Sequence, residues 1–581
     1  MMGHGGPGET QARQRPGRSG IWQRVSGRGA AAAGASALLM LGAMAPLASA
    51  TSDGPTARVI VVSRNAHSAG DNVNAHHGKA VGDLSIANAV AADVSATDLA
   101  ALRQDTDIEV VPDVQVDVTG VTDTVRAPAA VFPTTTGATA LTATGVIGKG
   151  VTVAVLDTGI SRLPDFAGRL VGGVDLSGEG DAFKDSYGHG TFVAGLIAGN
   201  GASSGGAYMG EAPGANLVSI KASGASGSTD LATVIAGVQW AVQNRGSLGI
   251  QVLNISMGAP PFPSSVTNPL DRAVEAAWNA GIVVVASAGN TGPNNGTITS
   301  PGDDPLVITA GAIDDNGTAP TVDDTMTTFS AAGPTAIDGW FKPDLVAAGR
   351  SVVSLRVPGS TIDVNNPSAR IGTANFVGSG TSFSAAITSG AAALLKQLDP
   401  SNGNADRIKG RLLGGAMRGP VGDPFVDGFG SLNVFNASQV KATLKQVAPT
   451  TATPVGATVS LFVTGAGSAW NGSAWNGSAW NGSAWNGSSW NGSAWNGSAW
   501  NGSSWNGSSW NGSSWNGSAW NGSAWNGSSW NYAAWDGSAW NGSSWNGSSW
   551  NGSSWNGSAW NGSSWNGSSW NGSSWNGSSW N

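Results

Sequence analysis

"VTVAVLD", residues 151–157, is continuously apolar and β-branched until it closes on Asp157. A run of that length without polar alternation fits a strand buried on both faces, the situation inside a parallel sheet. The same form returns in "ANLVSIK" (215–221), "IQVLNIS" (250–256), "GIVVVASAG" (281–289) and "PLVITAGA" (305–312). Between these runs the apolar spacing turns helical, in "DLATVIAGVQWAVQN" (230–244) and "PLDRAVEAAWNA" (269–280), and again in "SFSAAITSGAAALLKQL" (382–398). Strand and helix in alternation predict an α/β fold, a doubly wound parallel sheet flanked by helices. Functional groups in such a sheet collect at the carboxyl ends of the strands, where Asp157 stands.

Working outward, residues 57–118 form a smaller self-contained pattern. "ARVIVVS" and "ANAVAADV" read as strands, "SATDLAALRQ" as a helix, and "IEVV" and "VQVDV" as further strands, together a small α+β unit of βαβ type. A looser stretch, "TGVTDTVRAPAAVFPTTTG" (119–137), joins it to the larger pattern and is where a protease would cut. At the start, Arg13, Arg15, Arg18, Arg24 and Arg28 precede "AAAAGASALLMLGAMAPL", which runs to "ASA" at 48–50. This reads as a signal peptide cleaved after Ala50, and hence a secreted, extracellular protein. A membrane anchor is the competing reading, weakened by the Ala and Gly content.

Composition excludes several functions. The net charge of -8 and 11% charged residues leave no basic stripe for nucleic acid. The absence of cysteine removes disulfides, thiol catalysis and thiolate metal sites. His189 is the last histidine in the chain; His4, His67, His76 and His77 all lie in segments expected to be removed.

Three segments place a reactive group at the end of an element. Asp157 closes its strand before a Thr-Gly turn, His189 opens a helix in "YGHGTFVAGLIAG", and Ser382 begins a long helix in "GSGTSFSAAITSG". Singly, these are a turn residue, a loop residue and a helix cap. In the order Asp, His, Ser on a parallel-sheet pattern they fit acyl transfer, in which imidazole takes the serine proton and a carboxylate fixes the imidazole tautomer. The developing oxyanion needs donors: the Ser382 N–H at a helix start, and the Asn290 side-chain amide in "ASAGN" (286–290).

"VAVLDTGI", "GHGTFVAG" and "GTSFSAA" resemble the Asp, His and Ser signatures of the subtilisin-like serine proteases, and "ASAGN" resembles that family's oxyanion-hole strand. "FSAAGP", "KPDLVAAG" and "GFGSLNV" extend the likeness over about residues 140–440. The resemblance implies a secreted serine endopeptidase made as a zymogen and acting on polypeptide substrates. "NISMG" (254–258) should then line the primary specificity pocket and pair with extended substrate through Ser256 and Gly258. Residues 57–118 similarly resemble the family's inhibitory propeptide, released by self-cleavage within 119–135. Three departures stand out: Phe192 where a second histidine is common, Ala386 in place of proline, and Ala348 where "APG" is usual. No cofactor is required for the chemistry. Structural calcium is a family habit whose site the sequence leaves unknown, since "PGDDP" (301–305) and "DDNGT" (314–318) carry suitable oxygens but equally suit plain turns.

From Ala469 the chain repeats "AWNGS" or "SWNGS" with a five-residue period, and most of its 27 tryptophans lie there. A solenoid of pentapeptide steps and a Gly- and Ser-rich disordered arm both fit. Functionally, a spacer, a self-associating segment and a binder of cell-surface polysaccharide all remain open. The expected organisation is a signal peptide (1–50), propeptide (51–125), catalytic domain (126–445), linker (446–468) and repeat tail (469–581). The competing function is a surface-binding protein whose tail is the active part and whose protease domain is vestigial.

Overall fold

The computed structural model describes residues 56–118, 120, 130–261, 263–400, 403–441 and 446, with the strands of the repeat region between 467 and 580. The expected signal peptide (1–50), most of the 119–129 stretch and nearly all of the expected linker (446–468) lie outside the described residues.

The N-terminal unit runs β1 (Thr56–Val62), α1 (Ala66–Ala75), β2 (Lys79–Leu84), β3 (Ala89–Ser95), α2 (Ala96–Leu102), β4 (Glu109–Pro112) and β5 (Gln115–Val118). Its sheet has the order β2-β3-β1-β4 with every pair antiparallel. This corrects the expected βαβ unit to a split βαββαβ arrangement. α1 escaped the sequence reading because its only buried residues are Ala69 and Val73, one apolar pair in a polar segment. Strand alternation gives the sheet two buried faces. Val59, Val61, Val90, Ala92 and Val94 pack with Ala69, Val73 and Leu102 of its own helices. Ile60, Val62, Ala89 and Ala91 point the other way and join the core of the larger domain.

That domain begins with the short helices α3 (Phe132–Thr135) and α4 (Ala138–Thr142), so part of the stretch read as loose is helical, with Phe132 buried. There follow β6 (Thr152–Asp157), β7 (Leu170–Asp175), α5 (His189–Ala198), β8 (Asn216–Lys221), β9 (Ser228–Asp230) and α6 (Leu231–Asn244). Next come β10 (Ile250–Ile255), β11 (Met257–Gly258), α7 (Pro269–Asn279), β12 (Val283–Ser287), β13 (Ile308–Asp314), β14 (Thr325–Met326) and β15 (Leu345–Ala348). The main sheet has the order β14-β13-β12-β10-β6-β8-β7, with β15 also on β13, and only β14 pairs antiparallel. The expected parallel doubly wound sheet is therefore present, and the strand order reverses at β6. A crevice at that reversal is where such folds bind ligands.

A small sheet of β16 (Val352–Leu355), β17 (Arg370–Ile371) and β18 (Asn375–Gly378), with α8 (Thr361–Asn365) between its strands, precedes α9 (Thr381–Leu398) and α10 (Ala405–Gly415). α9 is buried from Thr381 to Lys396, all the way round. Its small residues make that possible: a β-carbon at Gly390 would come within 2.5 Å of Glu211 Cβ. Helices cover both faces of β6, for Leu156 meets α6 at Gly237 whereas Asp157 meets α5 at Gly190.

The backbone of the repeat region forms parallel strands paired in register, Trp470 opposite Trp490 and Trp525 opposite Trp540, so that like residues stand beside like.

Candidate active site

Asp157 ends β6 and is fully buried, and its carboxylate takes His189 Nδ1 at 2.8 and 3.0 Å. The Thr158 N–H donates to the same carboxylate at 2.8 Å. Two glycines let His189 come so close. Gly188 has φ 104°, a left-handed conformation that side chains resist. A β-carbon at Gly190 would strike the Gly159 carbonyl and sit 3.2 Å from Asp157 Cβ.

The loop before His189 is pinned by a residue to which the sequence reading gave no role. Asp185 accepts from the N–H groups of Gly188 and Thr191 at 2.6 and 2.7 Å and from the Thr158 hydroxyl at 2.8 Å. Burial pushes its carboxyl up against the pull of those donors. Lys221, at the end of β8, donates to the carbonyls of Thr158 and Lys184 at 3.0 and 2.5 Å and lies 3.1 Å from Glu179. An Asp four residues before a Gly-flanked His was the available signal for Asp185. Lys221 sits in an apolar run and had none.

Ser382 is the second residue of α9 and is buried. Its hydroxyl donates to the Ser256 carbonyl at 3.0 Å, while the Ser256 hydroxyl donates back to the Ser382 carbonyl at 3.0 Å. Behind them, Asn254 Nδ2 donates to the Ser256 hydroxyl at 2.8 Å, and Ser389 donates to Asn254 Oδ1 at 2.9 Å. This buried chain ties α9 to β10. The Ser256 side chain is thereby joined to the first turn of α9. Phe383 follows Ser382 and lays its ring 5.6 Å from the His189 ring, with Phe192 at 4.4 Å on its other side. Phe192, where a second histidine was noted as usual, thus packs against the Phe383 ring that lies beside His189. His189 Nε2 is buried and has no hydrogen-bond partner among the described residues.

Asn290 follows β12. Its Oδ1 accepts from the N–H and the hydroxyl of Thr381 at 3.0 Å each, which anchors the amide at the start of α9 beside Ser382. Gly258 lies in β11, and a β-carbon there would sit 2.6 Å from Thr299 Oγ1.

The protein's own chain lies between β9 and β11. β5 pairs antiparallel with both, Asp117 opposite Ser228 on one side and opposite Gly258 on the other. The N-terminal unit adds further bonds: Asp113 accepts from Ala232 N–H at 2.9 Å at the start of α6, and Gln239 accepts from Ile86 N–H at 2.9 Å. Burial raises the Asp113 carboxyl to about 6.

Among the described residues no group of three acidic or histidine side chains is arranged to hold a metal ion. After "PGDDP" the carbonyls of Pro305, Leu306 and Val307 accept from Lys409 Nζ at 2.8, 3.2 and 2.9 Å. In "DDNGT", Asp314 and Asp315 accept from the N–H groups of Asn316 and Gly317, the turn bonds of ordinary loops.

The profile of the Subtilase family matches residues 148–467. Serine protease AprX of Bacillus subtilis is 44% identical over 295 residues, which covers 50% of this chain and 66% of AprX. Subtilisin Savinase of Lederbergia lenta is 35% identical over 298 residues, covering 51% of this chain and 91% of Savinase. Among solved structures, fervidolysin from Fervidobacterium pennivorans, a keratinolytic enzyme related to subtilisin, superposes with a TM-score of 0.53 at 23% identity. That match covers 68% of this chain and 62% of fervidolysin, and it speaks for the fold alone. None of these matches favours a protein whose working part is the tail. With the family profile spanning more than half of its length, this chain belongs to the subtilase family, peptidase S8.

Proposed function

We propose that the protein is a secreted serine endopeptidase, made as a zymogen, that hydrolyses extended polypeptides through Asp157, His189 and Ser382. One observation carries this reading: the Asp157 to His189 Nδ1 contact at 2.8 Å, buried at the carboxyl end of β6, faces a cleft already filled by an extended strand. Ser382 Oγ attacks the scissile carbonyl as its proton passes to His189 Nε2. Asp157 holds the Nδ1 proton and stabilises the imidazolium. The Ser382 N–H at the start of α9 and the Asn290 amide receive the oxyanion. His189 then protonates the leaving amine, and water hydrolyses the acyl-enzyme. No step calls for a cofactor.

β9 and β11 clasp a peptide strand through its main chain, which suits substrates of varied sequence in extended form. Ser256 and Gly258 contribute backbone at that edge. The propeptide (51–125) inhibits by occupying the cleft, and the leader (1–50) directs export. The catalytic domain is residues 126–445, joined by a linker (446–468) to a repeat tail (469–581) that takes no part in the chemistry.

Ser382→Ala tests the reading. The variant should fold, hydrolyse no peptide substrate and retain its propeptide. Proteolysis that persists in a clean preparation of Ser382→Ala would sink the assignment.

A further inference from the structure

The helix that carries the base starts without a cap of its own. Gly188 is the N-cap of α5 and offers no side chain, although the second and third N–H groups of a helix need an acceptor there. Both needs are met from elsewhere in the chain. The Thr191 N–H donates to Asp185 Oδ2 at 2.7 Å, and the Gly190 N–H donates to the Thr158 hydroxyl at 2.9 Å. Thr158 directly follows Asp157, so one of the two caps stands on the element that holds the triad carboxylate.

Asp185 joins the two caps. Its Oδ1 accepts from the Thr158 hydroxyl at 2.8 Å and from the Gly188 N–H at 2.6 Å. A second route runs beside the first: the Ser161 N–H donates to the Thr191 hydroxyl at 2.9 Å, and the Asp185 N–H donates to the Ser161 hydroxyl at 3.2 Å. Asp185, Thr158 and Thr191 are all buried. The Thr158 N–H in turn donates to Asp157 Oδ1 at 2.8 Å, the oxygen that also meets His189 Nδ1. The start of α5 and the Asp157 carboxylate are therefore set by one ring of hydrogen bonds, and neither shifts without the other.

We propose that Asp185 is a positioning residue for the reaction: acting through Thr158, it fixes the His189 ring against Asp157. The inference rests on the endopeptidase reading above. Each bond to the Asp185 carboxylate comes from a donor, so the site calls for an ionised acid, which only accepts. An amide of the same shape cannot take its place. Oδ1 meets the Gly188 N–H and Oδ2 meets the Thr191 N–H, so either orientation of an asparagine sets its NH2 against a backbone donor. The first turn of α5 must then move, and the imidazole moves with it. A displacement of about 1 Å costs on the order of 100-fold in rate. The ring includes no residue of β9 or β11, so the loss falls on kcat and spares KM.

Asp185→Asn tests this. Turnover of a peptide substrate, counted per active site titrated with a serine-directed covalent inhibitor, should show kcat lowered ~100-fold with KM changed less than about twofold. A lower melting temperature and fewer titratable sites, with kcat per site unchanged, would mark a merely structural residue and overturn the proposal. Thr158→Val should lower kcat likewise, and the double variant should lose little more than either single one, because both changes open the same ring. Losses that multiply overturn the route through Thr158. Where Asp185→Asn does not mature, the full-length chain answers in a Ser382→Ala background, in which the His189 Nδ1 proton held by Asp157 gives a downfield magnetic resonance signal. Adding Asp185→Asn should weaken that signal or move it upfield, and an unmoved signal overturns the proposal. Turnover that survives in Ser382→Ala alone overturns the endopeptidase reading instead.

Discussion

The two ends of the parallel sheet bury polar groups in different ways. At the carboxyl ends of β6, β10 and β12, each group has a short, directed partner: Asp157 on His189, Ser382 on Ser256, Asn290 on Thr381. At the amino ends of β13 and β15 charges are massed. Asp344 lies between two buried ammonium groups, 2.7 Å from Lys342 Nζ and 3.0 Å from Lys409 Nζ. Close by are Asp271, Glu275, Asp303 and Asp304, each with a buried oxygen that has no hydrogen-bond partner among the described residues. Burial works against charge on Asp344, but Lys342 and Lys409 outweigh it and hold the carboxyl below its usual range. Burial and mutual repulsion push the others up, Glu275 to about 8 and Asp303 to about 7. Directed pairs fix the position of a reacting atom, whereas massed charge fixes where two strands and two helices meet.

If that division holds, substitutions at the two ends should separate activity from stability. Asp157→Asn removes the carboxylate that selects the His189 tautomer while keeping its shape. Self-conversion should slow by about 10^4-fold, the scale of loss when the carboxylate of a Ser-His-Asp triad is replaced by its amide. The melting temperature should barely move. A loss under tenfold, followed by gel time course, would break the assignment of Asp157.

Asp344→Asn is the mirror experiment. It leaves two ammonium groups buried without their shared carboxylate, a situation that costs about 3–5 kcal/mol. Denaturant unfolding should show that loss, while whatever protein remains folded keeps its turnover. An unchanged midpoint would mean that the backbone carbonyls of 305–307 and the Thr309 hydroxyl suffice to hold the lysines.

The same contrast explains what the sequence made legible. The inner strands declared themselves because burial on both faces leaves an unbroken apolar run, as in β6 and β12. β7 did not, because "LVGGVD" is a half-buried edge strand whose glycines are set by crowding: a β-carbon at Gly173 would lie 2.7 Å from the Ser219 carbonyl. Asp157, His189 and Ser382 were visible because each interrupts or ends a pattern. Asn254, Ser389 and Lys221 were hidden, being polar residues inside elements read as apolar, with partners up to 135 residues away. "VQVDV" read correctly as a strand, but the two edges that clasp it could not be inferred, since strand pairing at long range leaves no local period.

The smallest predicted effect concerns pH and lies wholly at the amino end. Asp271, Glu275, Asp303 and Asp304 all have folded values above those of the unfolded chain, so the folded state binds more protons between about pH 4 and pH 8. Stability must therefore fall as pH rises through that window. Lys409, lowered by burial to about 8, acts in the opposite sense and only above that pH. Glu275→Gln removes one titrating member while keeping its volume. The variant should match the parent near pH 5 and exceed it by about 1–2 kcal/mol at pH 8, a figure reduced from the full shift because Glu275 is partly exposed. Unfolding midpoints across pH 5–8 measure it. Parallel curves for parent and variant would show that the Glu275 carboxyl ionises freely in the folded protein, and that the crowding there does not restrain its charge.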